Sequence, residues 1–503
     1  MNELTITTDF TDIALPTDLA ASQQLNRDLL TLVVALQARV KQLEAELTEL
    51  KERLNDSSAN SSNPPSRDTP EQRAQRERKP KSPLKRGGQP GHSKHERTLV
   101  EESRLDAIQH YYPEGCCRCG GHLVLETTPS QRHQVFDLPE VAYQVTEHRL
   151  YAGTCSCCGK RQVAELPEDI PSGQMGAGLI SWITLMNGAC RLSTRQIQLL
   201  LEEQWQLSFS SGAISEATAP VSRWLAPLYA QAGDAVRSSP VVNADETSHY
   251  RGREREWLWV MCSPQVVYFM THYSRGKGAA DELLGKFNGV LVTDQHGGYN
   301  HHPNERRQLC WAHIIRKFKK IAQRYGRAGI LGKRLLRLAR LIVHLHNRKL
   351  AGAYSDRLYR QRMDKLREAF RQTLVAGSGL RQAQHPDKPT KTANQCQRLR
   401  DDDLMLWTFL RHSGVPLTNN AAERAIRPYV IWRKTSFFSQ SFRGDQFRPL
   451  ILTIVETCKR LGISAYRIIR QACQQALAKK PVTVRLPIPP PRVLNPVTGL
   501  IAA

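Results

Sequence analysis

No uninterrupted run of about eighteen apolar residues occurs in the 503-residue chain, so a membrane-spanning helix is not expected. The first twenty residues, MNELTITTDFTDIALPTDLA, lack the basic-then-apolar order of a secretion signal. Acidic side chains are scarce, with 47 Asp and Glu against 71 Lys and Arg, a formal net charge of +24. That deficit exceeds what solubility needs and makes a compact state repel itself, so a polyanionic partner is the economical explanation. What is present in quantity is chain length, enough for three or four units at about 150 residues each. There are also twelve cysteines, which without export sit in a reducing compartment, where CxxC pairs usually mean metal rather than disulfide.

The positive charge is concentrated. Residues 67–97 carry ten Lys or Arg against four acids in a Pro-, Ser- and Gly-rich stretch, KPKSPLKRGGQPGH, which reads as a flexible basic linker. Residues 305–349 carry fourteen Lys or Arg against Glu305 alone. Ile314, Ile315, Phe318 and Ile321, then Leu331, Leu335, Leu336, Leu338 and Leu345, recur there near helical spacing, which predicts basic amphipathic helices. Ahead of both, Leu29, Val33, Leu36, Val40, Leu43, Leu47, Leu50 and Leu54 form an unbroken heptad seam with Leu at every d position. β-Branched a residues among them favour a parallel dimer, with Arg39 facing Glu44 and Glu46 facing Lys51 across the interface. A single amphipathic helix packed on its own domain would tolerate a wider stripe.

Two CxxCG knuckles, Cys116 with Cys119 and Cys155 with Cys158, can close a tetrahedral thiolate shell around one structural Zn²⁺. Cys117, Cys157 and His122 leave the ligand choice open, and the alternating residues between the knuckles suggest the strands of a zinc ribbon. Residues 179–228 then read as helix, polar turn and a second helix opened by Ser210 and Ser211. Such a pattern suits a helix-turn-helix and is equally explained by plain helical packing.

After Pro240 the texture turns to strands. VVNADET ends on acids at Asp245, two further strands and a short helix follow, and GVLVTD ends in Asp294. Carboxylates at the ends of neighbouring apolar strands repel one another and stability does not call for them. Two divalent ions would resolve the repulsion and suit displacement at a phosphodiester. A third carboxylate is sought on a helix packed against the sheet. Glu423 offers it, in a helix that Asn419 or Asn420 could cap.

ADET at 244–247, TDQHGGY at 293–299, LCWAHIIRKF at 309–318 and NNAAERAIRP at 419–428 with its following WRK occur in one order, joined by GGQPGH, the cysteine pairs and the leading zipper. Over about residues 25–475 the chain resembles transposases of the insertion sequence 66 family. Ser248 stands where Pro is usual, and Gln295 and His296 replace commoner residues. The resemblance implies a catalytic triad of Asp245, Asp294 and Glu423 holding two Mg²⁺ (or Mn²⁺) ions. It also implies cleavage and strand transfer at the terminal inverted repeats of a mobile element, double-stranded DNA as partner, and accessory proteins encoded by the same element. His313, Arg316, Lys317, Arg424, Arg427, Arg433 and Lys434 are the candidate phosphate contacts.

The expected fold is multidomain, α+β and α/β. An unmatched segment covers 1–24, a coiled coil 25–56 that makes a homodimer through 29–54, a basic linker 57–102, a zinc ribbon-like unit 103–170 and a helix-turn-helix-like unit 171–237. A ribonuclease-H-like core follows at 238–304 and 416–478, interrupted by an all-helical basic insertion at 305–415 and ended by a Pro-rich tail at 479–503. The expected location is the bacterial cytoplasm at the nucleoid. Two other functions fit parts of the pattern, a non-catalytic zinc-containing DNA-binding regulator and a nuclease that cuts without joining. Convergent carboxylates argue against the first, and joined products distinguish the second.

Overall fold

The computed structural model describes residues 18–54, 56–58, 60, 68–77, 99–112, 118, 119, 121, 125–137, 143–382 and 387–490. The chain divides into two compact units, Met1–Lys79 with His313–Cys396, and Pro80–Ala312 with Gln397–Ala503. Among the described residues no helix is long and apolar enough to cross a membrane.

Helix α1 (Leu19–Leu54) begins six residues before the expected start of the coiled coil and carries the heptad seam on its surface. Leu29, Val33, Leu36, Val40, Leu43, Leu47 and Leu50 are each about half exposed in the single chain. The side chains of Glu46, Lys51 and Leu54 lie outside the described residues, as does most of the basic linker, in which α2 (Pro70–Glu77) is described. In the stretch 103–170, expected as a zinc ribbon-like unit, one short antiparallel hairpin, β1 (Ala152–Thr154) with β2 (Arg161–Val163), replaces the longer expected strands, since residues 131–137 and 143–150 carry no regular structure.

Four helices then pack in sequence: α3 (Ala177–Gly188), α4 (Thr194–Trp205), α5 (Ser211–Thr218) and α6 (Val221–Arg237). Ser193 opens α4 with a reciprocal capping box to Gln196. Ser210 caps α5 through the Ala213 N–H, where the sequence put a helix start. The second helix of the expected helix-turn-helix is two helices, because Pro220 has no N–H with which to continue α5 and becomes the N-cap of α6. Gly188 is required at the α3 end, since a Cβ there would lie 2.3 Å from Ile451 Cγ1.

The sheet comprises β3 (Val241–Arg251), β4 (Glu254–Cys262), β5 (Val267–His272), β6 (Val290–Thr293) and β7 (Arg307–Leu309), with α7 (Lys277–Leu284) before β6. Its order is β5-β4-β3-β6-β7, antiparallel among the first three and parallel from β3 through β6 to β7. Two expectations are corrected here. β3 does not end at Asp245 but runs six residues further, because Thr247, His249 and Arg251 continue the ladder with β4. Residues 307–309, assigned to an all-helical insertion, are the fifth strand, so the helical stretch begins only after Leu309.

That stretch holds α8 (Trp311–Ala322), α9 (Gly326–Leu350), α10 (Asp356–Ser378) and α11 (Lys391–Asp401). Within the first unit, α9 and α10 form a hairpin whose inner face is Leu335, Ala339, Ile342 and Leu345 against Tyr359, Met363, Phe370 and Leu374, and Phe318 of α8 meets Phe370 edge-on at 5.7 Å. Lys333, Arg334, Arg337, Arg340, His344 and Arg348 occupy the exposed side of α9, the basic amphipathic pattern expected. In the second unit, α12 (Asp403–Leu406), α13 (Thr408–Arg411), α14 (Asn420–Thr435), α15 (Phe442–Leu461) and α16 (Ala465–Leu477) complete the chain. α14 lies on β3 and β4, and α15 covers β5. Thr453 and Thr457 of α15 accept the N–H groups of Phe269 (3.0 Å) and Val267 (3.1 Å), satisfying donors that an edge strand would leave open. The Pro-rich tail is pinned at Leu486, which is buried and whose backbone is held from both sides by the Gln231 amide of α6. Residues 491–503 lie outside the described residues.

Candidate functional site

The carboxylates meet near the middle of the sheet. β3 and β6 pair in parallel with Asn243 opposite Val292, so Asp294, directly after β6, lies level with Asp245 one strand spacing away. Asp294 is fixed by its own loop, where Oδ1 accepts the His296 N–H at 2.8 Å. The buried Arg307 guanidinium of β7 ties that loop down by donating to Thr293 Oγ1 (3.1 Å), to the Asp294 and His296 carbonyls (3.1 Å each) and to Asn300 Oδ1 (2.9 Å).

Glu423 arrives from above on α14, one turn after the N-cap. Asn419 is that N-cap, as one of the two expected candidates, but its side chain does not cap the helix. It is spent on β3, where Nδ2 donates to the Ala244 carbonyl at 2.7 Å and Oδ1 accepts from Asn243 Nδ2 at 2.9 Å. A buried amide pair thus fixes the helix start against the residue preceding Asp245, and the helical turn from 419 to 423 turns Glu423 toward the strand acids. Asp245 feels both of the other carboxylates. Burial pushes the Asp245 carboxyl well above its ordinary range, and repulsion from Glu246, Asp294 and Glu423 pushes the same way, against the hydrogen bond from the Glu246 N–H at 2.9 Å. Asp245, Asp294 and Glu423 do not gather their oxygens within 4.8 Å of one another as a single-ion shell would. Their donor set, all hard carboxylate oxygen, suits Mg²⁺ or Mn²⁺.

Sequence reasoning missed a fourth acid. Glu246 has a side chain 1% exposed and is paired with Arg275 at 2.8 Å, while the Tyr299 hydroxyl donates to it at 3.1 Å. Burial and Asp294 still raise its carboxyl. Strand alternation alone sends Glu246 to the face opposite Asp245, and the motif GGY that brings Tyr299 was the available signal. Also missed were His249, Glu256 and Asp445, buried and within 4.8 Å of one another in ligand atoms. Both ring nitrogens of His249 are engaged, Nδ1 by the Tyr429 hydroxyl and Nε2 by Asp445, and Arg251 pairs with Glu256 at 2.8 Å. The charges there are met by protein partners, which makes it an ion-pair network joining β3, β4, α14 and α15.

The candidate DNA-contact residues separate into two groups. In the first unit His313, Arg316 and Lys317 are half-buried on α8, with Arg316 Nη1 3.2 Å from His313 Nε2. In the second, Arg424, Arg427 and Lys434 are exposed along α14. Arg433 is instead turned into the strand, donating to Thr247 Oγ1 at 2.7 Å and to Ser248 Oγ at 3.1 Å, and burial lowers its guanidinium.

Of the expected zinc ligands, Cys116 lies outside the described residues, with Cys117 and His122, while Cys119, Cys155 and Cys158 are exposed. The second knuckle has the expected tight turn. Gly159 adopts φ 70, its N–H donates to the Cys155 carbonyl at 2.9 Å, and Cys155 N–H donates to Lys160 O at 2.9 Å. The backbone N–H groups of Cys158 and Cys157 hold the Cys155 thiol below its ordinary range, a setting that favours thiolate. Among the described residues Cys119 is not drawn into a cluster with Cys155 and Cys158.

Comparison with known proteins adds the following. Residues 172–446 match the family model described as the transposase IS66 family, and residues 15–98 match that of a family of unknown function. Two relatives come from Sinorhizobium fredii (strain NBRC 101917 / NGR234). The uncharacterized protein y4qI is 26% identical over 234 residues, covering 42% of this chain and 41% of its own length. The uncharacterized protein y4hP is 25% identical over 395 residues, covering 69% of this chain and 68% of its own. The match thus spans about two fifths of the first relative.

Proposed function

Since the chain belongs to the IS66 family of transposases, we propose that it cuts the ends of an insertion sequence at their terminal inverted repeats and joins them to target DNA, with Asp245, Asp294 and Glu423 as the catalytic acids. One observation carries the reading. Asp245 is raised by burial and by three neighbouring carboxylates, an arrangement that costs stability and that divalent cations would offset. Two Mg²⁺ (or Mn²⁺) ions bound by Asp245, Asp294 and Glu423 would supply activation of the attacking oxygen and neutralisation of charge on the leaving oxygen of the phosphodiester. The protein's share is placement. Asn419 fixes the start of α14 so that Glu423 keeps its bearing, and Arg307 fixes the loop after Asp294. Glu246 is held back by Arg275 and Tyr299, adding negative charge beside Asp245 without leaving the sheet. Water would attack in the cutting step and a DNA 3′-hydroxyl in the joining step.

The sheet order, with acids on its central strand, after the next parallel strand and on an overlying helix, supports a ribonuclease-H-like core. The half-exposed heptad seam of α1 supports a parallel homodimer, which would bring two element ends together. The exposed cations of α9 support phosphate contacts. The Cys155 turn supports one structural Zn²⁺, with Cys116, Cys119, Cys155 and Cys158 as its ligand set. Location at the nucleoid and help from proteins encoded by the same element follow from the same reading.

The test is Mg²⁺-dependent cleavage and joining of terminal-repeat DNA by the purified full chain. Asp294→Asn is expected to abolish both, and intact strand transfer by that variant would overturn the assignment. Cleavage without joined products would make the protein a nuclease, and neither activity in the wild type would leave a DNA-binding regulator.

A further inference from the structure

The segment after α14 is strained and yet firmly held. Phe437 and Phe438 both occupy the left-handed region, at φ 50 and 68, where a β-carbon is unfavourable and where persistence requires outside support. Support is present on every side of the backbone. Ser439 N–H donates to Tyr250 O at 3.2 Å and Gly252 N–H to Ser439 O at 2.8 Å, which bolts the segment to the β3–β4 hairpin tip. Arg448 Nη2 donates to Phe438 O at 2.6 Å and Gln440 Nε2 to Phe437 O at 3.1 Å. The Phe438 ring turns inward and packs edge-on against Tyr250 at 4.9 Å. The Phe437 ring takes no part in any of this and is 78% exposed, and Phe442 is 63% exposed.

A large apolar ring on a rigid, strained backbone facing water has no role in folding, and the charge around it indicates what covers it. Arg253, Arg255 and Lys434 are exposed, with Glu254 the exposed acid among them. Glu256 is buried and held by Arg251, whose guanidinium carbon lies 6.0 Å from the Phe442 ring centre. Exposed rings beside cations fit unpaired nucleic-acid bases, which offer a free face for stacking while their phosphates meet the cations. Bases within a duplex are already stacked. Six residues of extended β3 separate Asp245 from Arg251, about 20 Å, and the course of α14 from Glu423 to its end is of similar length.

We propose that Phe437 and Phe442, with the exposed cations Arg253, Arg255 and Lys434, form a stacking platform for an unpaired DNA strand about 20 Å from the carboxylate cluster. The proposal rests on DNA being the substrate, as in the function proposed above, and specifies that part of this DNA is held single-stranded.

The test uses the full-length chain with fluorescein-labelled oligothymidylate and, in parallel, a mixed-sequence duplex. Phe437→Gly removes the ring and suits the left-handed backbone, so its melting temperature should stay the same or rise while oligothymidylate binding weakens about ten-fold and duplex binding changes less than about two-fold. Phe437→Trp should keep tight oligothymidylate binding, and Phe442→Ala should weaken it. Wild-type-like oligothymidylate binding by Phe437→Gly, or equal loss on both DNAs, would overturn the platform, as would a wild type that does not bind the oligomer. Asp294→Asn separates this from the catalytic reading. It should bind oligothymidylate normally, and if it still cuts DNA the triad assignment fails while the platform stands.

Discussion

Replacing Asp245 with Asn should make the metal-free protein more stable. Asp294, directly after β6, lies level with Asp245 of the neighbouring parallel strand β3, about 5 Å away by strand spacing. Two full negative charges at that distance with an effective dielectric of about 20 repel by about 3 kcal/mol, and Glu246 and Glu423 add to the repulsion. Asn retains an oxygen able to accept the Glu246 N–H, so the hydrogen bond at 2.9 Å survives the change. The expected gain is about 2 kcal/mol, which for the unit of about 340 residues that carries the sheet shifts the melting temperature by roughly 3 °C. Its pH dependence follows from the raised carboxyl. A carboxyl whose folded pKa lies above its unfolded value gives stability that is complete at acid pH and is lost as pH rises through the folded value. The advantage of Asp245→Asn over wild type should therefore widen from acid to mildly alkaline buffer. Divalent cation should reverse the ranking, because Mg²⁺ or Mn²⁺ stabilises the wild type by mass action and finds one ligand fewer in the variant. Thermal unfolding of chelator-treated full-length protein, with and without millimolar Mn²⁺ at both pH values, measures all of this. A variant that melts below wild type in chelator, or that gains as much from Mn²⁺, would refute the argument.

Asn419→Ala removes the tie between α14 and β3 and strands the Asn243 amide, so it should cost about 1–3 kcal/mol in thermal or denaturant unfolding and depress DNA cleavage even at saturating Mg²⁺. Val40→Asp together with Leu43→Asp places charges in the exposed seam and should convert the proposed dimer to monomer in sedimentation, with little change in the helix content of the rest. Gln substituted at Arg334, Arg337 and Arg340 of α9 should weaken duplex binding and reduce the slope of log affinity against log salt by about 2–3. An unchanged slope would remove α9 from the DNA face. Cys155→Ser should lower bound zinc, read by elemental analysis, in protein whose carboxylate cluster is intact.

Periodicity is a local property, and what was local was legible. The heptads of α1 and the basic amphipathic helices of 313–350 follow from spacing, because each helix displays its own pattern whatever it packs on. The start of α5 follows from Ser210, whose hydroxyl reaches only three residues ahead. Strand ends were less legible. β3 overran Asp245 because β4 supplied ladder partners out to Arg251, a decision made by a neighbour rather than by the strand. Residues 307–309, Arg-Gln-Leu, are too short and too polar to read as a strand. They become one when β6 offers an edge and when Arg307 can bury its guanidinium against the Asp294 loop.

The sequence alone determined that the chain is basic in two places, that α1 has an unsatisfied apolar seam, that cysteines come in knuckle pairs, and that acids stand at Asp245, Asp294 and Glu423. Tertiary structure decided which of these groups interact. Pairing of β3 with β6 set two acids side by side, and a buried asparagine pair set the approach of the third. Folding also turned Arg433 inward, drew Glu246 to Arg275 and Tyr299, and left the Phe437 ring outside a clamped, strained turn. The reason is one of range. Spacing along the chain fixes the face on which a side chain stands, whereas repulsion, pairing and burial depend on distances that exist only after segments far apart in sequence have met.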